Sequence, residues 1–281
     1  MDFIVGLVKI LFWGITLFAL LYALLTHFIF WLEQRLFSIA LGQPIAIAWG
    51  AWLYSFSIEF ICLLLNYIVY PFRFWFAKLK KPATVGALPI LLVHGYLHHQ
   101  NAWAWFIHRL QDKPGIGPIY SMNLSPAFAS IATLAETLQD KIQAIQKETG
   151  SMSVILIGHS MGGLVCSYYT EFLRKSDEIA KVITIGSPFK GTWSAVLGLG
   201  QNCQEMSPNS SFLQTLVARI KKSNVPYYSI LSKMDNIVIP WRSGLIYEDV
   251  SENDVVLEDH GHLRLLISPV VIEQVYQWIK Q

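Results

Sequence analysis

One stretch carries the pattern of an activated nucleophile: Val154-Ile-Leu-Ile-Gly158-His159-Ser160-Met161-Gly162-Gly163. Four apolar residues run into Gly-x-Ser-x-Gly, and a helix-compatible segment follows at once. A serine hydroxyl is a weak nucleophile until it is held exposed and a base takes its proton. A sharp turn from strand to helix supplies the exposure, and Gly158 and Gly162 keep side chains out of that crowded turn. The bland alternative is a glycine-rich turn with an ordinary serine. Five-residue motifs of this kind arise by chance, so the strand–turn–helix context is what favours the nucleophile.

A base and an acid to orient it must come from elsewhere. Tyr227–Leu231 reads as a strand, and a few residues past its end stands Asp235, placed to accept a hydrogen bond from an imidazole. Its rival reading is a turn-capping aspartate. The chain order serine, acid, histidine then requires a later histidine, and Asp259-His260-Gly261-His262 offers two. Charge that develops on a carbonyl oxygen needs donors fixed in advance. The backbone N–H of Met161 is one candidate. That of Tyr96, in the loop His94-Gly95-Tyr96-Leu97, is the other, with Gly95 permitting close approach. His94, His98 and His99 lack a nearby carboxylate or thiolate to complete a metal site. Cys62, Cys166 and Cys203 show neither zinc spacing nor an even pairing. No metal or other cofactor is implied.

The elements that would position these groups alternate. Leu88–Val93, Ile119–Met122, Val154–Ile157, Val182–Ile185, Tyr227–Leu231 and the weaker Val255–Leu257 read as short buried strands. Between them, Ala102–Leu110, Ser130–Glu148, Gly163–Arg174 and Val270–Ile279 read as helices, the second with Ile131, Leu134, Leu138, Ile142 and Ile145 at helical spacing. Apolar strands separated by helices imply a mainly parallel sheet covered on both faces, with ligands at the carboxyl ends of its strands. Each of the residues assigned to chemistry falls at such an end. Residues 192–222 admit two readings, a lid or a core-facing helix. Lys190–Pro208, rich in Gly, Ser and Asn, reads as an excursion over the sheet top.

The front of the chain differs. Of 281 residues, 14% are charged, against about 25% in an average soluble domain, which points to membrane and away from nucleic acid. Residues 1–81 carry net charge +3 and residues 82–281 net charge −1. Ile10–Leu32 has no Lys, Arg, Asp or Glu, long enough to cross a hydrocarbon core of roughly 30 Å and longer than the core of a cleaved signal peptide. A second apolar stretch, Pro44–Tyr70, is broken only by Glu59; an ionisable group there is costly in lipid, and an interfacial or re-entrant segment with Glu59 neutral or facing water competes with a second span. Two spans are the favoured reading, so the expectation is a membrane anchor over 1–81, with two transmembrane helices near 10–32 and 46–70, joined to a catalytic domain over 82–281. Arg73, Lys78, Lys80 and Lys81, interleaved with Phe72, Phe74, Trp75 and Phe76, favour a cytoplasmic position for that domain.

The segments LPILLVHGY at 88–96, VILIGHSMGGL at 154–164, ITIGSPFKGT at 183–192, SKMDNIVIP at 232–240 and GHLRLL at 261–266 resemble the α/β-hydrolase superfamily, and within it bacterial lipases and membrane-associated esterases. The resemblance spans nearly all of 85–281. It implies Ser160 as nucleophile, His262 rather than His260 as base, Asp235 as its orienter, and Tyr96 with Met161 as oxyanion donors, with Ile183–Thr192 as a wall of the site. It further implies cleavage of an acyl ester, drawn here from the adjacent bilayer of a bacterial inner membrane; an acyltransferase or a catalytically idle interaction module would use the same fold. Two departures stand out: the small domain leaves little room for an elaborate lid, and secreted lipases lack such an anchor. Oligomeric state is not legible.

Overall fold

A computed structural model describes residues 2–41, 49–69 and 86–281. The basic aromatic cluster at 71–81, and the edges of the second apolar stretch at 44–48 and 70, lie outside the described residues.

Six strands form one parallel sheet: β1 (Ile90–Val93), β2 (Ile119–Met122), β3 (Val154–His159), β4 (Ile179–Ile185), β5 (Tyr227–Ser232) and β6 (Asp254–Leu257), in the order β2-β1-β3-β4-β5-β6. Successive side chains of a strand point to opposite faces, and here both faces are dry. Leu91, Val93, Leu156 and Val182 enter one core, with α4 (Ile131–Thr149), α5 (Met161–Tyr168) and α7 (Ser211–Ile220) packed over it. Ile90, Leu92, Ile155, Ile157, Ile183 and Ile185 enter the other, beneath α3 (Ala104–Leu110) and α8 (Pro269–Lys280). That explains why the strands read as unbroken apolar runs rather than alternations. Ser130 caps α4 by accepting from the Thr133 amide at 3.0 Å, and Gly150 ends it in the left-handed region at φ 70°. The helix expected over 163–174 starts two residues earlier and finishes in one π turn, Tyr169–Leu173.

The segment 192–222 divides. Leu213, Leu216 and Ile220 of α7 are buried in the core, whereas Trp193, Val196, Leu197 and Leu199, which precede α6 (Gln201–Glu205), are exposed. The core reading holds for the second half alone.

The front forms two helices, α1 (Asp2–Leu41) and α2 (Trp49–Val69). They run antiparallel: the Phe18 ring meets Tyr67, and the His27 ring meets Trp52 and Phe56. Among the described residues only Val5–Leu36 is long and apolar enough to cross a membrane; the apolar part of α2, Trp52–Ile68, falls below that length. The hairpin does not stand apart from the hydrolase-like domain. Ala19, Ala23 and Leu63 form a small core with Leu263. Glu59 faces neither lipid nor water; it is buried against the chain after His262. The hairpin is thus laid over the carboxyl ends of the strands, against the chain after His262.

Candidate active site

β3 ends at His159 and α5 begins at Met161, so Ser160 alone makes the turn. Its backbone sits at φ 57°, ψ −128°, a conformation that costs a non-glycine residue of order 1–3 kcal/mol and is held only where the surroundings over-determine it. The Ser160 N–H is held by the Ile185 carbonyl of β4 at 2.9 Å. The loop after β1 closes on the same residue: a methyl group built on Gly95 would lie 2.8 Å from Ser160 Cβ and 3.3 Å from its Oγ. Only glycine lets that backbone come so near.

Asp235 and His262, twenty-seven residues apart, meet: Asp235 Oδ2 lies 2.8 Å from His262 Nδ1, both buried. The other carboxylate oxygen accepts the amides of Ile237 (2.9 Å) and Val238 (2.8 Å), which fixes the group. A carboxylate only accepts, so Nδ1 carries the proton and Nε2 is left free to take one. Burial opposes a charged His262, but attraction to Asp235 and their hydrogen bond outweigh it, with Glu59 adding to the pull, so its pKa is raised. His260 is turned elsewhere, its two ring nitrogens at 2.8 Å from Asp259 Oδ1 and from Ser268 Oγ. Between the two candidate histidines, the geometry pairs His262 with the acid. Ser160 and His262 both lie at the carboxyl end of β4: the Ser160 N–H is bonded to Ile185, and a methyl group built on the next residue, Gly186, would lie 3.3 Å from His262 Cε1.

Tyr96 and Met161, the expected oxyanion donors, flank the serine along the chain and across the Gly95 contact. The Tyr96 hydroxyl donates to the Leu199 carbonyl at 2.9 Å and accepts the Leu199 amide at 3.1 Å, which ties this loop to the exposed 193–199 segment. Three histidines at the site are structural. His94 Nε2 accepts the Leu124 amide at 3.0 Å, so its Nδ1 donates to the Gly95 carbonyl at 2.8 Å and braces the loop. Burial pushes His94 down to about 4 and His98 down to about 3, and His159 falls well below the ordinary range for the same reason. All three stay neutral near pH 7, and His98 stacks on His159. Among the described residues no His, Cys, Asp and Glu cluster is arranged to hold a metal ion.

Ser160 opens into a cavity of about 180 Å³ whose walls include Tyr22, Leu25 and Ile29 of α1, and Leu197, Met206 and Val238 of the domain. A larger cavity of about 560 Å³ lies across the Gly95 loop, between Phe18, Tyr67, His94 and Met161. Asn236 joins the hairpin to this region: its Oδ1 accepts the His262 amide at 3.2 Å, and its Nδ2 donates to Thr26 Oγ1 at 2.9 Å. Asn236, Glu59 and His159 were not legible as partners of His262, because nothing in their spacing says that α1, α2 and β3 converge on it.

A six-stranded parallel sheet with a strained serine between β3 and its following helix, and a histidine paired to an acid at the strand ends, is a known arrangement. The fold is that of the α/β-hydrolases. Residues 123–251 match the PGAP1-like alpha/beta domain family, a stretch that includes Ser160 and Asp235. A putative chloroplastic methylesterase of Arabidopsis thaliana is 35% identical over 103 residues, which cover 34% of this chain and 28% of that protein. The chain therefore matches little more than a quarter of that relative's length. Two solved structures share the fold at low identity. The mature lipase of Bacillus licheniformis has a TM-score of 0.60 at 13% identity, covering 72% of this chain and 96% of that one. Aspergillus fumigatus lipase B has a TM-score of 0.62 at 18% identity, over 73% and 55%. This lipase/esterase-like hydrolase fold carries the hairpin α1–α2 in addition.

Proposed function

We propose that this α/β-hydrolase is a membrane-associated serine hydrolase that cleaves carboxylic esters of acyl lipids through an acyl-Ser160 intermediate. The observation that carries the reading is the Asp235–His262 pair at 2.8 Å, set against Gly186 at the same end of β4 that holds the strained Ser160. In the first half-reaction Ser160 Oγ attacks the ester carbonyl carbon while His262 Nε2 takes its proton. The carbonyl oxygen becomes negative and is met by the backbone N–H groups of Tyr96 and Met161. The C–O bond then breaks, and His262 hands the proton to the departing alcohol. In the second half, His262 deprotonates a water, which attacks the acyl carbon and releases a fatty acid and free Ser160. A different alcohol in place of that water would give acyl transfer from the same intermediate.

The lipid substrate is supported by the walls of the serine's cavity, where α1 contributes Tyr22, Leu25 and Ile29. The outer face of the hairpin is apolar and bare, with Ile10 at 70% and Trp13 at 66% exposure, a surface that water does not favour and lipid does. Residues 1–81 then act as the anchor and 82–281 as the catalytic domain. Since Tyr22–Ile29 and Glu59 pack on the domain, a hairpin embedded from one side suits the contacts better than two spans through the middle. The basic residues Arg73, Lys78, Lys80 and Lys81 directly precede the domain and support a cytoplasmic position for it, at a bacterial inner membrane on this reading.

The test is turnover of short- and long-chain nitrophenyl esters by the detergent-solubilised full chain and by Ser160→Ala. The parent should hydrolyse both and the variant neither. Equal rates would sink the proposal. Labelling by a fluorophosphonate probe separates an active enzyme from an idle fold, which would leave Ser160 unmodified.

A further inference from the structure

Glu59 is the acidic residue that the proposed reaction leaves unused. It lies in the middle of α2, is buried to 1% exposure, and both of its oxygens are occupied. Oε2 accepts the Leu263 amide and Oε1 the Arg264 amide, each at 2.9 Å. These two N–H groups start the short 3-10 turn Arg264–Leu266, whose first amides would otherwise have no partner in a buried setting. The approach is tight. A methyl group built on Gly261 would lie 2.6 Å from Glu59 Cγ, so the carboxylate rests against the backbone on both sides of His262. Asn236 holds the His262 amide from a third direction.

Resting on the serine-hydrolase reading, we propose that Glu59 is a positioning residue for His262, and that docking of α2 by this carboxylate is what makes the catalytic loop competent. A buried carboxylate that has given up water needs strong hydrogen bonds in return. The two backbone amides supply them, and in exchange the loop loses its freedom. A base must be held close to the productive geometry, because a displacement of about 1 Å costs roughly a hundredfold in rate. The charge acts as well. His262 is faced by Asp235 from the end of β5, Glu59 from α2, His159 from β3 and His98 from the loop after β1. The two histidines are neutral near pH 7, and Arg264, on the same turn, is committed to Asp259. Asp235 and Glu59 are therefore the two groups that favour the imidazolium.

The experiment compares pH profiles of kcat/KM, with kcat and KM separately, on a short soluble ester for the full chain and three variants. Glu59→Gln should lower kcat roughly 10- to 100-fold with KM little changed. It should also move the acid limb down by on the order of half a pH unit, since His262 loses a negative neighbour and holds its proton less tightly. Leu63→Ala weakens the same hairpin contact through the small apolar core without touching the carboxylate, and its acid limb should coincide with the parent's. Gly261→Ala reaches the contact from the opposite side and should lower kcat and shift the limb as Glu59→Gln does. It decides the matter should Glu59→Gln fail to accumulate. Unchanged limbs in Glu59→Gln or Gly261→Ala, or a limb in Leu63→Ala that moves as far, would overturn the proposal. If Ser160→Ala is inactive while Glu59→Gln behaves as the parent, the positioning role falls and the serine mechanism stands. Activity in Ser160→Ala would remove the mechanism itself.

Discussion

Asp235 gives His262 its tautomer, its orientation and most of its basicity, through one hydrogen bond of 2.8 Å. Asp235→Asn would replace the acceptor with a group able to present N–H, inviting the other tautomer and removing the charge. We expect kcat/KM to fall by about three to four orders of magnitude, with the folded content by circular dichroism unchanged. On the proposed mechanism, His262 must be neutral to accept the serine proton, and its pKa is raised. Activity should therefore be lost on acidification at a pH above the ordinary histidine value, and a rate profile with its acid midpoint below that value would contradict the pairing. Ser160 was legible because its motif is local, six residues of strand and a turn. The choice of His262 over His260 rested on the resemblance alone. Both sit in one short apolar-flanked stretch, and only the fold turns one toward Asp235 and the other toward Ser268.

At the scale of elements, mostly apolar runs of three to six residues announced the six strands, because a parallel sheet covered on both faces favours apolar side chains throughout. The segment 192–222 shows where that logic fails. Its two halves carry the same kind of residue, yet α7 buries Leu213, Leu216 and Ile220 while Trp193 to Leu199 stay outside. Leu216→Ala should cost roughly 2–5 kcal/mol of stability, and Leu199→Ser less than about 0.5 kcal/mol, both read from urea unfolding of the detergent-solubilised chain. Similar losses in the two would mean that the exposed segment packs in solution. The Tyr96 hydroxyl, bonded twice to the Leu199 backbone, couples this segment to the oxyanion loop.

At the scale of the whole molecule, the hairpin α1–α2 serves two faces. Its inner side walls the serine's cavity and holds the His262 loop; its outer side offers Trp13, Leu17 and Leu21 to the surroundings. Exchanging those three for serine should weaken flotation with phospholipid vesicles, each buried side chain being worth about 1.5–3 kcal/mol. Hydrolysis of a short soluble ester should stay within about twofold of the parent, as surface changes away from the site do little. Retained flotation would place the lipid contact elsewhere. The sequence by itself determined the sheet, the sharp serine turn and the apolar front, since each is written in periodicity or in a motif a few residues long. What only the tertiary structure decided is the meeting of Glu59, Asn236 and His262, and with it the packing of the hairpin onto the domain. Those contacts join residues up to 205 positions apart. No local pattern encodes a pairing across that separation; it exists only once the helices have found the end of the sheet.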